Sequence, residues 1–433
     1  MTRLLVLFVT AFVDMVGLTM IIPLLPFYAT ELGASATVVG LLVSAFSVAQ
    51  LTVAPVWGRF SDRYGRRPAI LAGLLLTSGA YVIFAFAGSV PVLLLSRLVQ
   101  GLGGGTIGVV QAYVADASPP EERTKSLGWL SAVTSLGAVA GPAFGSVMIS
   151  IGGRAAPGLG SAALALLVAG FAARFLVESR QLGVSGSHAA PSTTSPRQAI
   201  GRVLSHWREP ASRLIWIYTV GIGAFYGTIQ VVPLLLMNRL GVTERTVGYF
   251  IMYLGGMGVV VRSLLLGRAV DYLGEARLSR LGLVLLAAGL ACTGLATHGG
   301  LLFLGFTLMP LGTAFLFPCV TGLLSRVVAG NERGLYMGVQ HTFGGASRVV
   351  FPIAAGLLMD RFGMGVPFWL SALLVLATLP FAWALADALP PESPATIAVR
   401  MVSAADVTGE FPVEKVAEGG KAAGDALGRQ EAT

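Results

Sequence analysis

Apolar stretches of about 20 residues recur along almost the whole of this 433-residue chain, and each is long enough to cross a lipid bilayer as an α-helix. Only 12% of the residues are charged and 55% are hydrophobic, whereas about a quarter of the residues of an ordinary soluble domain are charged. The pattern predicts an all-α membrane protein with twelve spans. These are residues 4–28, 37–57, 69–88, 91–115, 127–150, 156–177, 212–237, 246–266, 279–297, 300–324, 337–359 and 366–387.

The basic residues are distributed unevenly between the two sets of loops. With an even number of spans, both termini lie on the same side of the membrane. The loops on that side contain Arg59, Arg63, Arg66, Arg67, Arg123, Lys125, Arg180, Arg197, Arg202, Arg208, Arg268, Arg277 and Arg333. The opposite loops contain only Arg154, Arg239, Arg245 and Arg361. The positive-inside rule therefore places both termini in the cytoplasm, and the net charge of +8 reflects topology rather than a nucleic-acid partner.

The two halves of the chain repeat each other. The charged turns that begin at Gly58 and Gly267 are 209 residues apart, and the segments that begin at Glu122 and Glu332 are 210 apart. This offset predicts a duplicated six-helix unit around a central cavity, with alternating access by rocking of the halves. We predict an N-terminal six-helix bundle, a cytoplasmic linker, a C-terminal six-helix bundle and a disordered cytoplasmic tail, over residues 1–178, 179–211, 212–388 and 389–433.

The turn "GRFSDRYGRRP" at 58–68 predicts a gate. We expect Gly58 to end the second span and to admit a neighbouring helix closely. The turn resembles the loop-2/3 signature of the major facilitator superfamily, which implies that Asp62 contacts the region 332–338 when the cytoplasmic side is closed. The basic side chains are expected to pair with acids such as Asp116. The candidate gate residues are Gly58, Asp62, Arg63, Gly65, Arg66 and Arg67; the alternative is a simple positive-inside anchor.

Two ionisable residues lie deep within predicted spans, where such residues are candidates for a functional site. Asp14 and Arg97 lie at depths that differ by about 5 Å at 1.5 Å rise per residue, so they are within reach of each other if their helices are neighbours. The segments 13–26 and 96–108 resemble the drug/proton antiporter branch, which includes tetracycline exporters. The resemblance implies that Asp14 carries the proton and that Arg97 acts electrostatically on Asp14. The alternative for both residues is a purely structural role.

The fifth predicted span contains a stripe of small residues. Gly137, Gly141 and Gly145 recur every four residues, and Pro142 removes one helical hydrogen bond. We expect the stripe to face a helix of the other half, against which it can slide or seal. The spacing resembles the antiporter signature of the superfamily, which implies export rather than import; generic packing of small residues is the alternative.

Polar and aromatic residues of other spans are candidates for the wall of a substrate cavity, with bilayer contact or core packing as the alternative. They are Gln100, Gln111, Tyr226, Gln230, Tyr253, Phe315, His341 and Arg348. The chain departs from tetracycline exporters in having Ala80 where they carry an acid in helix three, and no His in span eight. This departure speaks against recognition of a tetracycline–metal complex.

The sequence thus predicts a secondary active exporter of a small amphipathic or drug-like compound in exchange for protons. The alternatives are an uptake symporter or facilitator on the same scaffold, and a non-transporting sensor or assembly factor. We expect no enzymatic activity and no cofactor. The sequence contains no phosphate-binding Gly-rich Lys motif, which speaks against a nucleotide site, and no cluster that resembles a metal site. The expected partners are the transported compound, protons and the lipid of the inner membrane, and the resemblance implies a monomer.

Overall fold

The computed structural model describes residues 2–119, 122–178, 195–330 and 332–384. The helices of the first half are α1 (Thr2–Ile21), α2 (Leu25–Glu31), α3 (Ala36–Tyr64), α4 (Arg66–Ala85), α5 (Val90–Gly104), α6 (Ile107–Asp116), α7 (Arg123–Gly152) and α8 (Ala156–Phe175). The others are α9 (Pro196–Ser205), α10 (Pro210–Leu240), α11 (Val247–Leu264), α12 (Leu266–Leu273), α13 (Glu275–Leu295), α14 (Gly299–Val327), α15 (Arg333–Phe362), α16 (Val366–Ala377) and α17 (Leu379–Trp383).

These helices form twelve segments that are long and apolar enough to cross a membrane, so the predicted all-α membrane fold is confirmed. Three spans that were predicted as single helices are broken. The first divides into α1 and α2 around Pro23, the twelfth divides into α16 and α17 at Thr378, and the fourth divides into α5 and α6 at residues 105–106. Side chains of α3 donate hydrogen bonds to backbone carbonyls beside the break in the fourth span. The Gln50 amide donates a hydrogen bond to the Gly104 carbonyl (3.0 Å) and the Trp57 indole to the Leu102 carbonyl (2.6 Å).

The end of the second span differs from the prediction. Helix α3 continues through Gly58 to Tyr64, and Gly65 is the residue that ends it, with φ of 107°. Nothing lies within 4 Å of where a side chain at Gly58 would begin, so no helix approaches Gly58 closely in this conformation. Asp62, in the last turn of α3, forms an ion pair with Arg66, the first residue of α4 (2.8 Å), so the charged turn joins the two helices across Gly65.

Part of the predicted linker is helical. Ser195 and Gln198 form a reciprocal capping box at the start of α9, which satisfies two otherwise unpaired amides. Helix α9 buries Ala199 and Val203 against the second half. Residues 179–194 of the linker and the predicted tail at 389–433 lie outside the described residues.

The two halves meet through two antiparallel helix pairs, α3 with α15 and α7 with α11. We call the side that carries the 58–68 turn the terminal side, and the other the far side. On the far side, the carboxylate of Asp360 accepts hydrogen bonds from the amides of Ala36 (3.0 Å) and Thr37 (2.8 Å) and from the Thr37 hydroxyl (2.6 Å). A carboxylate of α15 therefore caps the first turn of α3, where the helix dipole favours negative charge.

The second helix pair is equally close on the far side. The Ser146 hydroxyl donates to the carbonyl of Glu244 (3.1 Å) and accepts from the amide of Gly248 (3.0 Å). Gly248 lies so near the Pro142 carbonyl that any side chain there would clash with backbone. On the terminal side, by contrast, Gly334 and Gly338 at the start of α15 face open space. The hydrogen bonds described here therefore join the halves on the far side, whereas the start of α15 on the terminal side has no close neighbour at Gly334 or Gly338 among the described residues.

Candidate functional site

A cavity of about 470 Å³ lies between the halves, below the far-side seal. Helices α1, α3, α5 and α7 of the first half and α10, α11 and α15 of the second contribute to its wall. Its apolar surface includes Phe46, Phe225, Ile251 and Leu254. Its polar groups come from Thr19, Ser47, Gln50, Arg97, Thr134, Ser135, Tyr226, Gln230 and Arg348. The volume lies within the range of ordinary small-molecule sites, and the wall suits an amphipathic compound.

Several candidates from the sequence are part of this wall. Tyr226 and Gln230 reach it from α10 and Arg348 from α15. Arg97 of α5 and Pro142 of α7 also line it. The structure therefore brings together, from both halves, residues that lie far apart in the chain.

The other five candidates lie outside the wall of this cavity. The Tyr253 hydroxyl pairs with that of Thr307 (2.8 Å), and its ring stacks on Phe303. Phe315 is buried in an apolar cluster of the second half, and Gln100 is buried in the first. Gln111 and His341 are exposed elsewhere on the helices. For Tyr253 and Phe315 the alternative to cavity lining, packing within the second half, is what the structure shows.

Asp14 and Arg97 do not pair directly. No ion pair joins them within 4 Å among the described residues, because α1 packs on α7 and α8 rather than on α5. Helix α4 lies against both α5 and α8, and its Tyr81 packs beside Gly17, one turn from Asp14. The Arg97 guanidinium lies over the ring of Phe84, one turn along α4 from Tyr81. Asp14 and Arg97 thus lie near the same stretch of α4.

Several polar groups around Tyr81 lack hydrogen-bond partners among the described residues. Tyr81, Arg97 and Gln100 are 1%, 3% and 2% exposed. The Gln100 amide lies beside Tyr81, but Tyr81 Oη, Arg97 Nε and Gln100 Nε2 make no hydrogen bond of normal geometry within the described chain. The Arg97 guanidinium instead lies over the Phe84 ring, 5.8 Å from its centroid. Buried polar groups without partners are costly, so this cluster is a strong candidate for a functional role.

The glycine stripe of α7 faces a different neighbour from the one predicted. Side chains at Gly137, Gly141 and Gly145 would clash with the α1 backbone between Phe12 and Met20, which belongs to the same half. The expectation that the stripe faces the other half is therefore wrong. The three glycines hold α7 against the helix that carries Asp14, while Pro142 and Ser146 on another face of α7 contact α11.

The 58–68 turn is a network of charges at the terminal side. Arg66 pairs with Asp62 (2.8 Å) and with Asp116 (3.2 Å), as predicted for its partner in α6. The carboxylate of Glu178 accepts hydrogen bonds from the amides of Arg66 (2.9 Å) and Arg67 (3.2 Å) and so caps α4. The Arg67 guanidinium donates to a carbonyl of α8. Asp62 remains 68% exposed, which leaves it accessible to the start of α15.

The second copy of the turn keeps one of these ion pairs with its polarity reversed. Gly274 ends α12 with φ of 76°, as Gly65 ends α3. Glu275, in the position of Arg66, pairs with Arg326 (3.0 Å) near the end of α14, in the position of Asp116. The same two helix ends are therefore tied by an ion pair in both halves, with the acid and the base exchanged.

Substitution of Gly65 by alanine is expected to destabilise the protein more than substitution of Gly33 by alanine. Both glycines have positive φ, of 107° and 79°, and such a conformation costs another residue about 1–3 kcal/mol. Only at Gly65 would the new methyl also displace the Glu178 carboxylate from the start of α4, whereas Gly33 faces open space. Loss of that cap adds about 0.5–2 kcal/mol. Thermal unfolding in detergent measures the difference; equal melting temperatures would contradict the assigned role of Glu178.

Sequence reasoning missed several residues of the site. Ser44, Ser47 and Gln50 lie three residues apart in α3, on one face of an otherwise apolar span. Ser47 and Gln50 line the cavity, and the Ser44 hydroxyl donates to the Val349 carbonyl (2.6 Å) across the halves. That polar stripe was a readable signal. Tyr81 gave no such signal, since a tyrosine in an apolar span is ordinarily core.

Comparison with known proteins identifies relatives over nearly the whole chain. The chain matches the profile of the Major Facilitator Superfamily over residues 7–265 and again over 256–421. It is 30% identical to Multidrug resistance protein 2 of Bacillus subtilis over 390 residues, 87% of this chain and 94% of that protein. It is 26% identical to the class B Tetracycline resistance protein of Escherichia coli over 364 residues, 83% of this chain and 88% of that protein. The crystal structure of the nucleoside transporter NupG shares the fold, with a TM-score of 0.72 at 12% identity over 88% of this chain and 99% of that one.

Proposed function

Because the chain is a member of the Major Facilitator Superfamily, we propose that it is a secondary active exporter, which moves a small amphipathic or drug-like compound out of the cytoplasm in exchange for protons. The protein is a multi-pass membrane transporter and not an enzyme. Its relatives named for multidrug and tetracycline resistance support export as the direction.

The observation that carries the proposal is the position of Asp14. It lies in the middle of α1, one residue from the cavity-lining Met15, and makes no hydrogen bond or ion pair with the described residues. An ionisable side chain at that depth is costly unless it serves a function. Arg97 lines the cavity and lies over Phe84 of α4, one turn from Tyr81, which packs beside the turn of α1 that follows Asp14.

The hydrogen bonds between the halves on the far side and the open start of α15 on the terminal side support alternating access. The distribution of basic loop residues favours the terminal side as the cytoplasmic one, which makes this conformation inward-facing. In the proposed cycle, Asp14 releases its proton to the cytoplasm and the compound enters the cavity from the same side. The seals made by Asp360 and Ser146 then break, Asp62 engages the start of α15, and the compound leaves while Asp14 is protonated from outside.

Inside-out membrane vesicles that respiration has acidified test the proposal. We expect an added substrate to be pumped inward and to release protons, seen as recovery of the fluorescence of a pH-sensitive acridine dye. Vesicles without the protein are the control. A labelled compound that equilibrates without proton movement would indicate a facilitator, and one that moves in the same direction as protons would indicate a symporter; either result contradicts the proposal.

A further inference from the structure

We propose that the transported compound carries an anionic group, such as a carboxylate, and that Arg348 binds this group inside the cavity. The inference rests on one part of the proposed function, namely that the transported compound binds in this cavity. It specifies the chemical class of the substrate, which the family and the named relatives leave open.

The charges of the cavity wall point to an anion. Two arginines, Arg97 from the first half and Arg348 from the second, line the cavity, and no carboxylate does so among the described residues. Asp14 precedes the cavity-lining Met15 but does not line the cavity itself, and it forms no ion pair with Arg97 among the described residues. Even when ionised, Asp14 offsets only one of the two positive charges, so the cavity keeps a net positive potential.

Arg348 is held ready for such a ligand. Its guanidinium lies over the ring of Tyr226, 4.8 Å from the centroid, and Tyr226 itself lines the cavity. Stacking fixes the plane of the guanidinium and leaves its edge free to donate two parallel hydrogen bonds to a carboxylate. Arg348 forms no ion pair or hydrogen bond with the described residues, and its Nε is buried without a partner.

A guanidinium without a partner in a low-dielectric wall is costly, and an anion removes much of that cost. Arg97 also lacks a hydrogen-bond partner for its Nε among the described residues, and it is 3% exposed. The two arginines belong to different halves, so an anion between them can be contacted from both sides as the halves rock. The apolar body of the compound would lie against Phe46, Phe225 and Leu254, which line the same cavity.

Equilibrium binding to the purified full-length protein in lipid nanodiscs tests this inference with three probes that share one aromatic body. These are pyrenebutyrate, its uncharged methyl ester, and pyrenebutyl-trimethylammonium. We expect the carboxylate to bind about tenfold or more tighter than the ester, as one charge-assisted pair allows, and the cation to bind most weakly. Arg348→Gln should remove the preference for the carboxylate, and Arg348→Lys should retain part of it.

Arg268→Gln is the matched control, since Arg268 is an exposed cation of the same half that does not line the cavity. It should leave all three affinities unchanged. Equal or tighter binding of the ester or the cation by the wild type would overturn the inference, and this comparison does not depend on the folding of any variant. If the cation binds and drives proton release, export stands and the anion inference fails. If the carboxylate binds but no probe moves protons, the inference stands and the proposed export fails.

Discussion

Replacement of Asp14 by asparagine is expected to reduce proton-driven efflux severely while the protein still folds and binds its substrate. Asparagine has nearly the shape of aspartate but carries no proton in the physiological range. Asp14 has no hydrogen bond or ion pair among the described residues, so the substitution breaks no contact that stabilises the fold. Efflux coupled to a proton gradient should fall about 5- to 150-fold, the usual size of a coupling free energy of 1–3 kcal/mol.

The measurement uses proteoliposomes that contain the wild type, Asp14→Asn or Asp271→Asn. Asp271 is a carboxylate at the second charged turn and outside the cavity wall, so its variant should retain full coupling. Exchange of labelled for unlabelled substrate without a gradient should survive in Asp14→Asn. A fully coupled Asp14→Asn variant would show that another group carries the proton.

Replacement of Asp360 by alanine is expected to weaken the far-side seal and to favour the opposite conformation. The substitution removes all three hydrogen bonds that join α15 to the first turn of α3. Asp360 is exposed to solvent, so we expect a loss of about 1–2 kcal/mol rather than the larger cost of a buried site. The ratio of far-side-closed to far-side-open protein should fall about tenfold, since about 1.4 kcal/mol corresponds to one factor of ten.

Double electron–electron resonance measures this ratio. The distance is taken between two spin labels, one on the turn at 32–35 and one on the turn at 363–365. Asp62→Ala is an informative counterpart, because the resemblance assigns Asp62 the equivalent contact with α15 on the terminal side. It should shift the ratio in the opposite direction. Asp271→Ala should leave the distances unchanged. If Asp360→Ala leaves the far side as closed as in the wild type, the carboxylate contributes nothing to the seal.

The two aspartates form a reciprocal arrangement that only the helix pairing reveals. Helices α3 and α15 run antiparallel, so the acidic residue near the end of each lies beside the beginning of the other. In this conformation Asp360 caps α3, while Asp62 pairs with Arg66 of its own turn. One contact is formed and the other is available, as expected of a switch between two states. The motif around Asp62 was recognisable in the sequence, but Asp360 belongs to no motif and was missed.

The sequence by itself determined the class of the protein and its repeat. Twelve apolar stretches, the offset between the halves and the 58–68 turn were sufficient, because the bilayer requires a fixed length of apolar helix and every backbone group must be paired within it. Such features depend on neighbours in the chain, which a sequence displays directly.

Only the tertiary structure decided which side chains meet. It directed the glycine stripe of α7 toward α1, placed Asp14 and Arg97 near the same stretch of α4, and excluded Gln100, Gln111, Tyr253, Phe315 and His341 from the cavity wall. It also left Arg348 against Tyr226 with its charge unpaired. A helix in a bilayer is apolar on all sides, so its sequence gives little indication of its rotation about its own axis. That rotation is set by close packing between helices, and it decides which residue faces the cavity.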